Sequence, residues 1–340
     1  MKRSICVLLV VAVSVSLAGA ISERSFSEAY REEVWPYYES GEFGSFGGQN
    51  GVRIAYAEYQ AASEQGALVI VLGKSESFLK YAELIYDLRD SGFSLYLMDH
   101  RGMGFSEALL DDDPGKVHVE SFDHYVQDLR TFVEQIVDAS PHRRRVLLGH
   151  SMGGTVALIF LERHPQVFDG AILSAPMLQI ITDPLPEWVA HAMSRVAVRI
   201  GLGGRYCPWR GPWEPGTFAG NHFTRSHARW SLWEEQLIPS RRLTGMGGPT
   251  QRWLRESMNA GRRARRDAGQ VCVPVILFQA GLDDVVRPGA QEDACRCMPD
   301  CELRLLPTAR HEILFERDEI RDEAVGRILD FLARTAARAQ

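Results

Sequence analysis

Beyond its first twenty residues the chain has no apolar run near the roughly 20 residues that a membrane-spanning helix needs, so no internal transmembrane segment is predicted. It has no internal repeat and no low-complexity tract. Positive charge is not in excess: 38 Lys and Arg stand against 44 Asp and Glu, a net charge of −6, which argues against nucleic acid as a partner. Cysteine is sparse, six in 340 residues, and none follows Leu17-Ala18-Gly19, so a bacterial lipoprotein signal is not indicated. What is present is ordinary globular composition. With 45% hydrophobic and 24% charged residues, disordered and fibrous classes are excluded and a large core can be buried.

Residues 1–20 differ in kind. Lys2 and Arg3 precede an apolar run from Ile5 to Leu17, and Ala18-Gly19-Ala20 supplies a small-residue cleavage site. This pattern predicts a secretory signal peptide and a periplasmic or secreted protein beginning at Ile21; the alternative is an anchor left uncleaved in the membrane. Export permits disulfides, but five cysteines remain, so at least one thiol is unpaired within the chain. Cys272 and Cys301 each precede a predicted core strand. If those strands are parallel neighbours, the two residues lie within bridging distance.

From Ala67 onward short apolar runs alternate with helical periodicity. Strands are expected at 67–72, 93–99, 146–148, 170–174, 273–279 and 302–306, after a hairpin at 43–60 turned by Asn50-Gly51. Helices are expected at 80–91, 120–138, after Ser151, and at 319–334. The clearest is 120–138, whose apolar residues recur at spacings of three and four. This alternation predicts an α/β fold with a mostly parallel sheet covered on both faces. No strand is evident from 177 to 270, where six of the seven tryptophans fall. That interval reads as a helical cap inserted between two core segments, 21–176 and 271–340, with tryptophans forming its own core or lining an acyl-sized groove. Two basic runs, 142–145 and 262–266, are ordinarily solvated faces; the alternative is peripheral contact with an anionic surface such as phospholipid headgroups.

The chemistry centres on Gly149-His150-Ser151-Met152-Gly153, a Gly-x-Ser-x-Gly between an apolar strand and a helix. At such a junction a strained turn holds the serine hydroxyl above the sheet, and the helix start aims backbone N–H groups at the same spot. A serine needs a base, and the base a third group to hold it. Downstream, Asp283 and Asp284 follow one predicted strand and His311 follows the next, so all three types arrive at strand ends in the order Ser, Asp, His. Either aspartate fits the third role. His118, His124, His142, His164 and His227 are expected on surfaces or helix ends. An oxyanion site needs two donors; Met152 N–H is one, and the turn Gly73-Lys74-Ser75 offers the other.

The segments Lys80-Tyr81-Ala82-Glu83-Leu84, Asp99 to Ser106, His118-Val119 with Tyr125 to Leu129, Gly149 to Gly154, Gly281 to Val286 and His311 to Glu316 resemble the lysophospholipase and monoacylglycerol lipase family of α/β-hydrolases, bacterial lysophospholipases above all. The resemblance spans residues 67–334. It implies the α/β-hydrolase fold, catalytic Ser151 and His311, the acid at Asp284 through the family pattern Gly-x-x-Asp, and the second oxyanion donor at Lys74 N–H. It also implies a small lipid or ester substrate. No cofactor is expected, because the chain itself supplies the nucleophile and the donors, and no metal is expected, because Cys295, Cys297 and Cys301 lack the paired spacing of a zinc site. Two departures stand out. Many relatives have His-Gly where this chain has Leu72-Gly73, and the cap follows no alignable pattern. Esterase, peptidase and acyltransferase activity on the same residues are the alternatives, with a non-catalytic lipid-binding protein further off.

Overall fold

The computed structural model describes residues 21–338. The expected signal peptide lies outside them. Eight strands form one sheet: β1 (Glu42–Gly47), β2 (Arg53–Tyr59), β3 (Gly66–Val71), β4 (Phe93–Met98), β5 (Arg145–His150), β6 (Gly170–Ser174), β7 (Val275–Ala280) and β8 (Cys301–Leu306), in the order β1-β2-β4-β3-β5-β6-β7-β8. β1 and β2 form the hairpin, β2 joins β4 antiparallel, and every other pairing is parallel. The α/β expectation holds. Every residue of β3, β4, β6 and β7 is buried, as continuous apolar runs require when helices cover both faces.

The principal helices are α1 (Ala82–Leu88), α2 (Asp123–Gln135), α3 (Met152–Arg163), α4 (Glu187–Arg199), α5 (Gln251–Asp267), α6 (Pro288–Cys297) and α7 (Asp318–Ala337). On α2 the residues Tyr125, Val126, Leu129, Phe132 and Val133 are buried, the stripe that its three- and four-residue spacing dictates. α3 is apolar nearly all round, and every residue from Met152 to Glu162 is buried, because it packs against the sheet on one side and other helices on the other.

Between β6 and α5 the chain makes α4 and several short helical turns and no named strand. Backbone bonds tie this inserted segment to loops at the strand ends: Gly104 and Thr244 exchange two, and Val117 bonds Gly248 and Thr250. α5 packs on both α4 and α3. Of the six tryptophans in the interval, Trp230, Trp233 and Trp253 are buried, Trp213 is half-buried, and Trp188 and Trp209 are exposed.

The disulfide joins Cys295 to Cys301, with Cα atoms 5.4 Å apart, and not Cys272 to Cys301. β7 begins at Val275, which stands opposite Cys301, leaving Cys272 three residues short of the register that would bring it across. Cys295, in the last turn of α6, lies where β8 starts. Cys207, Cys272 and Cys297 are free thiols.

Candidate active site

Ser151 occupies the sharp turn between β5 and α3 with φ 50° and ψ −116°, outside the ordinary range for a non-glycine residue. Two things hold that strain in place. The Ser151 N–H donates to the Ser174 carbonyl at the end of β6, and the Ser151 carbonyl accepts from Met177 N–H. Close packing also demands glycine beside it: a Cβ on Gly153 would lie 2.1 Å from the Val71 carbonyl oxygen. The serine is thereby pressed against the end of β3, where the proposed oxyanion turn begins.

His311, in the loop after β8, places Nε2 2.8 Å from Ser151 Oγ and Nδ1 2.8 Å from Asp283 Oδ2. The expected acid Asp284 is not the residue that meets His311. Asp283 Oδ1 accepts from the N–H groups of Val285 and Val286, which turns the side chain inward and leaves Oδ2 for the imidazole. Asp284, next along the backbone, points the other way. Its carboxylate is 56% exposed and lies 3.1 Å from His222 of the inserted segment.

Electrostatics follow this geometry. Burial pushes the His311 imidazole toward neutrality, but the Asp283 carboxylate outweighs it and raises its pKa. Burial would likewise raise Asp283; His311 and the two backbone donors outweigh that and hold it low. His150, its ring 5.2 Å from that of His311, is driven by burial down to about 4 and stays neutral beside the base.

Lys74 lies in the turn after β3 and Met152 at the first position of α3. Among the described residues neither N–H has an acceptor. The turn is shaped by a residue that the sequence did not single out. Glu76 accepts from Gly73 N–H at 2.6 Å and from the Tyr81 hydroxyl at 2.7 Å, and its other oxygen accepts from the Lys80 ammonium at 3.0 Å. Lys80 also donates to Glu312 at 2.6 Å. Two expectations for other histidines also fail. His118 is buried between Thr250 and Glu120, and the His142 side chain is enclosed by Glu64, Tyr96 and the Val137 carbonyl.

A family model described as serine aminopeptidase, S33, matches residues 62–318. The chain belongs to that family of α/β-hydrolases. It is 33% identical over 326 residues to lysophospholipase L2 of Escherichia coli K12, covering 92% of this chain and 93% of that one. To the probable lysophospholipase L2 of Haemophilus influenzae it is 26% identical over 315 residues, 92% and 98% of the two chains. A monoacylglycerol lipase of Mycolicibacterium smegmatis is 31% identical over 149 residues, 44% of this chain and 51% of its own. Among solved structures, a soluble variant of the Saccharomyces cerevisiae monoglyceride lipase superposes with a TM-score of 0.70 at 20% identity, covering 87% of this chain and 95% of that one. That likeness shows the fold. The chain is a carboxylic-ester hydrolase of this family.

Proposed function

We propose that this chain is an exported serine hydrolase that cleaves the single acyl ester of a lysophospholipid or a monoacylglycerol. The observation that carries the mechanism is the unbroken hydrogen-bonded line from Ser151 Oγ through His311 to Asp283. His311 Nε2 takes the hydroxyl proton as Ser151 Oγ attacks the ester carbonyl, and Asp283 holds the imidazole in the right tautomer and offsets the charge that it gains. The carbonyl oxygen becomes an oxyanion between the N–H groups of Met152 and Lys74. Collapse of the tetrahedral intermediate breaks the ester C–O bond, and His311 returns the proton to the departing alcohol. Water, activated by the same imidazole, then releases the fatty acid from the acyl-serine.

The choice of lysophospholipid rests on the full-length similarity to the two lysophospholipases L2; that of monoacylglycerol rests on a shorter match. Export rests on the pattern of residues 1–20 alone. The family description favours one second reading, hydrolysis of an aminoacyl amide by the same residues. A panel of lysophospholipids, monoacylglycerols, simple esters and aminoacyl amides, run on the wild type and Ser151→Ala, decides between them. Turnover of the first two classes, lost in Ser151→Ala together with fluorophosphonate labelling, is the expected result. Amide turnover above ester turnover selects the peptidase, and an active Ser151→Ala ends the proposal.

A further inference from the structure

The basic run 262–266 on α5 is spent within the molecule: Arg262 pairs with Glu187, Arg263 with Asp123 and Arg266 with Asp267, and Arg265 donates to Gln179. Two other cations, Lys74 and Arg210, are not spent in this way. Among the described residues neither lies within ion-pairing distance of a carboxylate, and the two come together where the turn after β3 touches the inserted segment.

The backbone brings them there. Ser75 sits in the left-handed region at φ 58°, which a non-glycine residue adopts only at a cost. Its hydroxyl accepts from the Lys74 ammonium at 2.8 Å and donates to the Gly247 carbonyl at 3.4 Å. The half-buried lysine is thereby held toward the inserted segment. Arg210 belongs to that segment. Its N–H donates to the Cys207 carbonyl, Cys207 N–H donates to the Pro249 carbonyl and Gly248 N–H to the Gly211 carbonyl, so the turn at 207–211 is clamped against Gly247-Gly248. The packing is tight: a Cβ on Gly248 would lie 2.8 Å from Arg210 Cβ. Ser75 and Arg210 therefore meet the same pair of glycines. Burial, and after it the Arg210 charge, press the Lys74 ammonium down to about 8, and Glu76 and Glu234 counter this only in part. Holding two cations together without a counter-ion costs free energy that an anion between them offsets.

The position fits one anion in particular. Lys74 N–H is the proposed second donor to the oxyanion, so the acyl carbonyl of the substrate lies at the backbone of this residue. The backbone nitrogen and the ammonium of a lysine are separated by as many bonds as the acyl carbonyl carbon and the phosphorus of a lysophospholipid acylated on a primary hydroxyl. One residue can thus meet both ends of the glyceryl unit, the oxyanion with its N–H and the phosphate with its ammonium. We infer that Lys74 and Arg210 form a subsite for the phosphate of a lysophospholipid whose ester lies at Ser151, and that they make the phosphate-bearing lipid, and not the monoacylglycerol, the preferred substrate. The inference rests on the hydrolase reading above and chooses between its two substrates. A guanidinium supplies paired donors to phosphate oxygens and an ammonium a point charge; a monoacylglycerol offers this place only hydroxyls.

The test is the ratio of kcat/KM for a short-chain 1-acyl lysophosphatidylglycerol to that for the 1-monoacylglycerol of the same chain, both kept monomeric. Inhibition by glycerol 3-phosphate of the hydrolysis of a soluble neutral ester is a second readout. The wild type favours the lysophospholipid and is inhibited by glycerol 3-phosphate. In Lys74→Met and in Arg210→Gln the ratio falls about ten-fold or more, the loss of one charge-assisted hydrogen bond, chiefly through KM, and the inhibition weakens with it. Lys74→Arg, which keeps the charge, keeps both. Arg210 is exposed, so its variant reads the subsite even where Lys74→Met fails to fold. Failure of the inference and failure of the reading beneath it look different. Turnover of neither lipid by the wild type ends both. Turnover of both lipids with a ratio unmoved in Lys74→Met and Arg210→Gln, or a wild type that prefers the monoacylglycerol, overturns the phosphate subsite alone.

Discussion

The ammonium of Lys80 lies 2.6 Å from the carboxylate of Glu312, and both side chains are largely shut off from solvent. Since Lys80 also bonds Glu76, one cation links the turn after β3 to the loop that presents His311. Burial works against all three charges, and their mutual attraction keeps Glu76 ionised and Lys80 protonated. Removing the cation strands two carboxylates in the interior. Lys80→Met is expected to destabilise the fold by about 3–5 kcal/mol, the range for breaking one side of a buried ion pair. Thermal and urea unfolding measure it, and an unchanged midpoint would show that the network is dispensable.

The two adjacent aspartates give a sharp contrast. Asp283→Asn is expected to lower kcat by about 10⁴-fold, because an amide can hold the imidazole in the wrong tautomer. Asp284→Asn, changing an exposed carboxylate paired only to His222, is expected to stay within a few-fold of wild type. Steady-state kinetics on one soluble ester suffices, and equal losses in both would remove the assignment of Asp283.

Through the His311 titration, activity and that residue's contribution to stability should respond to pH in opposite senses. His311 must be neutral to accept the serine proton, and its pKa is raised, so kcat/KM is expected to climb with pH through an inflection above the ordinary histidine value of about 6.5. The ion pair with Asp283 contributes stability that is fully present below the pKa of an unfolded histidine and is lost as pH rises through the raised folded value. Asp283, held low, contributes stability above the unfolded carboxyl pKa that is lost as pH falls through its own lowered value. A pH–rate profile of wild type and Asp283→Asn tests the cause: the inflection should move down in the variant, and a stationary inflection would assign it to another group.

Gly153→Ala places a methyl group where the Val71 carbonyl already stands. The helix start must move away from β3, and Met152 N–H moves with it. Loss of one oxyanion donor typically costs about 10²- to 10³-fold in kcat. A fall of that order with KM little changed is the expected result, and wild-type turnover would exclude Met152 N–H from the site.

The centre of the sheet was legible because β3, β4, β6 and β7 are short, largely apolar and wholly buried runs, and Ser151 and His311 because each follows a strand at the edge where ligands gather. Asp283 was not separable from Asp284. The two share a sequence neighbourhood, and the choice is made by the Val285 and Val286 N–H groups, which capture one oxygen of Asp283 and so aim the other. The disulfide escaped for a similar reason: a strand start displaced by a few residues moves Cys272 out of register and leaves Cys295 in reach. Glu76 gave little sign of itself. A lone carboxylate in a turn looks solvated until the fold sets Gly73, Tyr81 and Lys80 around it.

One piece of the inserted segment is stitched to the loop that carries the base. Asn221 accepts from the Arg310 guanidinium, the Phe223 carbonyl accepts from Glu312 N–H, and the Thr224 hydroxyl donates to the Phe315 carbonyl. These bonds fall on both sides of His311. Any displacement of residues 221–224 is therefore transmitted to both flanks of the imidazole, so the position of the proton acceptor depends on a segment that is distant from it in the sequence.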